Sequence, residues 1–117
     1  MSDRDPDCLF CKIVAGEIPS DCVHEDDEII AFRDISPQAP SHVLVIPRRH
    51  IPDFHALTDA DSDLLARLLG VTRRIAENEG IENGYRVVTN VGPDAGQSVF
   101  HLHFHLLGGR RMTWPPG

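Results

Sequence analysis

Apolar residues recur along the chain with two spacings, one typical of helices and one typical of strands. Helical spacing predicts a short helix over 9–14 that Gly16 ends, and a long helix over 59–79. Thr58 can cap the long helix, and Gly80 can end it. Strands are predicted for five shorter β-favouring runs, at 23–25, 29–33, 42–46, 85–90 and 100–107.

The order of these elements indicates an α+β fold, because strands and helices do not alternate regularly along the chain. We expect one domain over 1–117, in which a five-stranded antiparallel sheet packs with one long and one short helix. A sheet of this size leaves a free edge that a second copy of the chain can cover. Residues 1–7 lack apolar periodicity and predict a mobile start.

Strict alternation of histidine with large apolar residues marks the last predicted strand, at His101-Leu102-His103-Phe104-His105. Successive strand side chains point to opposite faces, so the apolar residues enter the core and three imidazoles line the other face. Three interpretations remain open: a polar strand face, a metal site, or covalent and acid/base catalysis. Imidazole near neutral pH is both a nucleophile and a proton carrier, which favours catalysis.

A polar loop over 90–98 leads directly into this strand and supplies amide and hydroxyl donors together with glycines. Glycines let a ligand approach the backbone closely, so the loop is a candidate phosphate site beside the histidines. A plain hairpin connection explains the same composition when the loop is taken alone.

The pair Cys8 and Cys11 has the spacing with which two thiolates reach one tetrahedral metal ion. Thiol redox chemistry and packed free thiols are the alternatives for this pair. Cys22 makes the cysteine count odd, which argues against a disulfide framework. Two further metal ligands would have to come from elsewhere in the chain.

The overall charge limits the possible partners. The chain has 18 acidic and 11 basic residues and a formal net charge of -7, so a polyanion such as nucleic acid is not an expected partner. No apolar run approaches the ~20 residues that a bilayer span requires, so no membrane partner is expected. The acidic first residues do not resemble a secretory signal, which predicts a cytoplasmic location.

The histidine pattern resembles the motif of the histidine triad family, in which three histidines alternate with apolar residues. The resemblance extends over nearly the whole chain and is similar in detail to the nucleotide-binding branch of that family. It is carried by the segments 31–42 and 45–51, by Gly96-Gln97-Ser98, by Leu107-Gly108-Gly109-Arg110 and by the ending Trp114-Pro115-Pro116-Gly117.

This resemblance implies a purine nucleoside 5'-phosphoramidate hydrolase that forms a nucleotidyl intermediate on His103 and releases an amine and a nucleoside monophosphate. The implied catalytic residues are His103, His105, Ser98 and His42, the last as a support for His103. The implied nucleotide-binding residues are Phe10, Phe32, Asp34, Ile35, Asn90, Gly96, Gln97, Ser98, His103, His105 and Trp114. Asp34 is expected to accept hydrogen bonds from the ribose hydroxyls, between apolar walls around the purine.

The resemblance also implies a structural zinc ion on Cys8, Cys11, His50 and His101, and no cofactor for catalysis. It further implies a homodimer with paired sheets, in which the tail over 110–117 brings Trp114 towards the partner's site. Two other functions stay open from the residues: a nucleotide-binding module whose turnover is vestigial, and a zinc or thiol-redox protein.

Overall fold

The computed structural model describes residues 4–117, which form the predicted five-stranded antiparallel sheet. The sheet has the order β1-β2-β3-β5-β4, with strands at Cys22–Glu25, Ile29–Arg33, Ser41–Pro47, Tyr85–Val88 and Phe104–Gly108 numbered β1 to β5 along the chain. The first three strands form a meander, and β5 inserts between β3 and β4. Strand β3 is therefore central and is buried along its whole length.

Both predicted helices are present. Helix α1 covers Leu9–Val14, and helix α2 covers Ser62–Asn78. The first residues predicted for the long helix form instead a separate 3-10 turn at Asp59–Asp61, which a capping box between Thr58 and Asp61 begins. Two further 3-10 turns, at Phe54–Ala56 and Pro93–Ala95, were not predicted, since three-residue turns carry no apolar periodicity.

Apolar residues cover both faces of the sheet. One face packs against α2 through a core that includes Ile29, Val43, Val45, Phe104 and Leu106. The opposite face packs against α1 through a second core, which includes Phe10, Phe32, Leu44 and Ile46. On the side of the sheet that carries the histidines, Phe10 of α1 covers His101 and His103, whereas His105 is only half-buried.

The predicted start of the last strand is wrong, because β5 begins at Phe104 and not at residue 100. The backbone before this point bonds elsewhere: the Leu102 N–H donates to the Ile51 carbonyl over 2.6 Å. The Thr89 hydroxyl donates to the His103 carbonyl over 2.8 Å, so β4 also ends early, at Val88. Leu102 still enters the α2 core, as the alternation predicts.

The first residues of the described chain form a turn against α1. The Cys8 N–H donates to the Asp5 carbonyl over 3.1 Å, and the Asp5 N–H donates to Cys11 Sγ over 3.4 Å. Of the predicted mobile start, residues 1–3 lie outside the described residues. Within residues 4–117, no helix is both long enough and apolar enough to cross a bilayer.

Candidate functional site

His103 lies in the extended segment that leads into β5, and its ring is almost fully buried beside Phe10. Its Nδ1 atom is 2.7 Å from the His101 carbonyl oxygen. A carbonyl can only accept, so Nδ1 carries the proton and donates. In the neutral ring Nε2 then holds the lone pair, and His103 has the tautomer of an imidazole nucleophile.

His105 and His42 form a hydrogen-bonded pair on the same face of the sheet. The Gln38 N–H donates to His42 Nδ1 over 3.0 Å, so the proton of the neutral His42 ring sits on Nε2. His42 Nε2–H in turn donates to His105 Nδ1 over 2.9 Å. His105 therefore keeps its own proton on Nε2 and can donate it to a ligand.

This geometry differs from the predicted role of His42, which was expected to support His103. His42 instead contacts His105, because β3 pairs with β5 so that Leu44 lies opposite His105 and His42 reaches it diagonally. The rings of His103 and His105 lie 4.9 Å apart. His42 can therefore support His103 only indirectly, through its hydrogen bond with His105.

Burial keeps these rings neutral near pH 7. It lowers the pKa of His103 and of His42, and it lowers the pKa of His105 to about 4, with help from the neighbouring His103 and His42. A neutral His103 has its lone pair available for attack. A neutral His105 remains a hydrogen-bond donor without adding a positive charge.

Acid is expected to destabilise the fold, with His105 as one cause. Its pKa is about 4 in the folded chain and about 6.5 in the unfolded chain, so the unfolded state binds the extra proton first. The contribution of the neutral His105 ring to the free energy of unfolding is fully present above pH 6.5 and is lost as the pH falls towards 4. In urea unfolding across this pH range, the free energy of unfolding should fall less steeply with decreasing pH for His105→Asn than for the natural chain. An identical pH slope in both would contradict the assignment.

A cavity of about 230 Å³ opens between α1, the end of β2 and Leu44 in the middle of β3. Its lining includes the four residues predicted to hold the nucleoside, which are Phe10, Phe32, Asp34 and Ile35. The Phe10 ring meets both the Phe32 ring, at 5.4 Å, and the His103 ring, at 5.1 Å. The cavity therefore adjoins the nucleophile candidate. Ile35 stands at its rim and is 98% exposed.

The loop over 90–98 is held by Gln97, whose side chain is buried. Its Oε1 accepts from the Gly92 N–H over 2.9 Å, and its Nε2 donates to the Pro52 and Val99 carbonyls. The Gln97 N–H is also occupied, since it donates to the Gly92 carbonyl over 3.1 Å. Gln97 thus shapes the loop and has no free donor for a phosphate.

Three other loop positions were predicted to contact the nucleotide. Gly96 adopts φ 89°, a left-handed conformation that favours glycine, at the end of the 3-10 turn. Ser98 is exposed and Asn90 is half-buried, and within residues 4–117 neither side chain is hydrogen-bonded. Both side chains are therefore available to a ligand, whereas Gln97 is not.

The four predicted metal ligands come together in one cluster. The sulfur atoms of Cys8 and Cys11 and one ring nitrogen each of His50 and His101 all lie within 4.8 Å of one another. His101 Nδ1 is 3.4 Å from Cys8 Sγ and 3.5 Å from Cys11 Sγ, and His50 Nδ1 is 3.3 Å from Cys11 Sγ. Sulfur and nitrogen ligands of a tetrahedral zinc ion stand about 3.6 Å apart, so this donor set fits that ion.

Hydrogen bonds around the cluster prepare its donors for a metal. The His101 Nε2–H donates to the Pro47 carbonyl over 2.8 Å, which leaves the Nδ1 lone pair facing the thiols. The Cys11 N–H donates to Cys8 Sγ over 3.3 Å, which lowers the pKa of the Cys8 thiol, although burial raises it by more. The predicted set is confirmed as a group that can hold a metal ion.

Comparisons with known proteins identify the family of this chain. The model of the HIT domain matches residues 15–112. The chain belongs to the HIT (histidine triad) domain family. A HIT family hydrolase from Legionella pneumophila has a similar structure, with a TM-score of 0.93 and 55% identity over 95% of this chain and 100% of that one.

Two relatives are similar to this HIT protein along most of their length. An uncharacterised HIT-like protein of Synechococcus elongatus is 52% identical over 95% of this chain and 97% of its own. A 14 kDa zinc-binding protein of Brassica juncea is 48% identical over 95% of this chain and 100% of its own. The predicted family and its five-stranded fold are therefore confirmed.

The structure also shows features of the HIT site that the sequence did not reveal. The Gln38 N–H and the Pro47 carbonyl set the protons of His42 and His101, and a backbone group leaves no signal in the side-chain pattern. Trp114 is 82% exposed, outside the cavity of its own chain. Its predicted approach to the site of a partner subunit stays a prediction.

Proposed function

We propose that this HIT protein is a purine nucleoside 5'-phosphoramidate hydrolase. The observation that carries the proposal is the tautomer of His103: its Nδ1–H is bonded to the His101 carbonyl, which frees Nε2 to attack phosphorus. The similar Legionella pneumophila structure is described as a HIT family hydrolase, which supports hydrolysis as the class of reaction.

In the first step, His103 Nε2 attacks the α-phosphorus and forms a phosphorus–nitrogen bond, while the bond to the substrate's amine breaks. The amine nitrogen takes one proton from solvent as this bond breaks, and the water of the second step returns one proton to solvent. In the second step, water attacks the same phosphorus and releases the nucleoside monophosphate, and His103 recovers its lone pair. Each of these two displacements has a lower barrier than direct attack of water on the substrate, because imidazole is both a good nucleophile and a good leaving group.

The charge that develops on the phosphate is met by hydrogen-bond donors. His105 offers its Nε2–H, since His42 occupies its Nδ1. Ser98 offers an exposed hydroxyl from the loop, and Asn90 an amide. In this proposal Gln97 acts indirectly, by holding the loop that presents Ser98.

The nucleoside occupies the cavity beside α1 in this proposal. Phe10 and Phe32 provide apolar walls for a purine, with Ile35 at the rim. Asp34 accepts the ribose hydroxyls through its Oδ2, since the Ser36 N–H already occupies Oδ1 over 2.8 Å. Phe10 contacts both the cavity and His103, so in this proposal it lies between the base and the α-phosphate.

We also propose that the ion held by Cys8, Cys11, His50 and His101 is zinc. The donor set and its spacing suit zinc, and a similar plant protein is named for zinc binding. Four protein ligands leave no open position for water, so the ion would serve structure rather than chemistry. When bound, it would join α1 to the segment that carries His101.

A homodimer in the cytoplasm completes the proposal. Strands β1 and β4 are the two edges of the sheet. The pairing of β1 is irregular between Cys22 and His24, and such a bulge discourages further pairing. Strand β4 is regular and exposes Val87, so it is the edge that suits a second copy. Trp114 would then be free to approach the partner's site.

Two rival functions were left open by the sequence. Burial raises the pKa of the Cys8 thiol, the opposite of what a redox-active cysteine requires. A binding module with vestigial turnover has no need of the oriented His103, His105 and His42 protons. Both observations favour hydrolysis.

The proposal is tested by incubating the protein, without added metal, with adenosine and guanosine 5'-phosphoramidates of a simple alkylamine. We expect release of the amine and of the nucleoside monophosphate in equal amounts, measured by chromatography. The uridine analogue, whose smaller base fills the cavity less well, should be a poorer substrate. Nucleotide binding without release of amine would instead identify a binding module.

A further inference from the structure

Glu79 links two strands from the end of helix α2. Arg33 Nη1 donates to Glu79 Oε1 over 2.7 Å, and Arg33 Nη2 donates to Oε2 over 3.0 Å. The Ser41 hydroxyl donates to Oε1 over 2.9 Å. One carboxylate thus accepts three hydrogen bonds, two from the end of β2 and one from the start of β3.

The two residues that Glu79 holds immediately precede two residues of the site. Arg33 is followed by Asp34, and Ser41 is followed by His42. Successive strand side chains point to opposite faces, so the side chains of Arg33 and Ser41 meet Glu79 on the α2 side of the sheet and those of the residues that follow lie on the other side. Arg33 also borders the cavity, beside Asp34. Glu79 therefore fastens, from behind the sheet, the two backbone positions from which those side chains project.

The chain between these positions is a closed loop. The Asp34 N–H donates to the His42 carbonyl over 3.0 Å. Within the loop, the Ser36 N–H donates to Asp34 Oδ1 and the Gln38 N–H donates to His42 Nδ1. A movement of either end of this loop would therefore alter both the carboxylate and the imidazole that face the site.

We propose that Glu79 is a positioning residue for the nucleotide site, which acts through Arg33 and Ser41 on Asp34 and His42. This inference rests on the proposed function, because it takes Asp34 as the group that accepts the ribose hydroxyls. Glu79 itself lies behind the sheet and touches no reacting atom.

The chemistry of the contact requires a carboxylate. Arg33 donates from two nitrogens to two oxygens, a bidentate geometry that fixes direction as well as distance. Glutamine would keep one acceptor oxygen but would turn its NH2 group towards a guanidinium that can only donate. Hydrogen bonding from Arg33 also lowers the pKa of Glu79, so the group stays ionised at neutral pH.

The test compares Glu79→Gln with the natural chain on two ligands. For the ribonucleoside phosphoramidate, we expect KM to rise about tenfold with a smaller change in kcat, since ribose contacts serve mainly binding. For the 2',3'-dideoxy analogue, KM should be unchanged, because that ligand has no hydroxyl for Asp34. If Glu79 had a merely structural role, Glu79→Gln would raise KM equally for both substrates.

Glu77→Gln is the matched control. Glu77 lies on the same helix, and its side chain makes an exposed ion pair with Arg73 rather than with Arg33 or Ser41. Both KM values should stay at the natural level in this variant. The double variant Arg33→Gln with Glu79→Gln should raise KM by less than the product of the two single effects, because the Arg33–Glu79 contact is lost in both single variants.

Calorimetric binding of AMP and 2',3'-dideoxy-AMP separates the two proposals. If the natural chain binds AMP but releases no amine, the proposed hydrolysis fails, and the loss of AMP affinity in Glu79→Gln still tests the positioning role. Equal changes for both nucleotides in Glu79→Gln, or no change for either, overturn that role. Failure of the natural chain to bind either nucleotide overturns both proposals.

Discussion

Replacing His103 with alanine is expected to lower kcat for phosphoramidate hydrolysis by about 10⁴-fold or more, since it removes the group that forms the covalent intermediate. Nucleotide affinity should remain within about threefold, because the cavity walls and Asp34 are unchanged. The measurements are steady-state turnover and calorimetric binding of AMP.

His55→Ala is the matched control, because His55 is exposed in the 3-10 turn at Phe54–Ala56 and lies outside the site. It should retain natural turnover. Intact mass after rapid mixing with substrate and an alkaline quench should show one nucleotidyl group on the natural chain and none on His103→Ala. Turnover by His103→Ala at the rate of the natural chain would contradict the covalent mechanism.

Replacing Cys8 and Cys11 together with serine is expected to abolish metal binding and to lower the free energy of unfolding by at least about 3 kcal/mol. Both thiols are buried, and they tie α1 to His50 and His101. Zinc content by elemental analysis and urea unfolding measure the two effects. A chelator should produce the same loss of stability in the natural chain.

Cys22→Ser is the control for this pair, since Cys22 is exposed and lies outside the cluster. It should bind zinc and unfold like the natural chain. The same experiment separates hydrolysis from thiol redox chemistry. Hydrolysis predicts that the folded fraction of the Cys8→Ser, Cys11→Ser protein still turns over substrate, whereas a redox function predicts complete loss even where folding is retained.

The sequence predicted the fold well because most of its elements carry strong periodic signals. Leu64, Leu68, Val71 and Ile75 recur at helical spacing, and all four are buried in the core beside the sheet. The strand boundaries were less accurate near His101, where the backbone leaves the sheet ladder for the Ile51 carbonyl. A hydrogen bond to a distant segment cannot be read from local alternation.

The candidate site was predicted in part. The metal cluster was predicted because two cysteines with suitable spacing need two more ligands, and the resemblance indicated His50 and His101. The role of Gln97 differs from the expected one, since its amide and its N–H both hold the loop. Which donors a residue keeps for a ligand depends on the neighbours that the fold gives it.

The sequence alone determined the identity of the chemical groups and the face of the sheet on which they lie, because both follow from residue type and the period of two in a strand. Tertiary structure decided which nitrogen of each histidine holds the proton. That depends on the His101 carbonyl for His103, on the Gln38 N–H for His42 and on the Pro47 carbonyl for His101. These backbone groups meet the rings only after the chain folds.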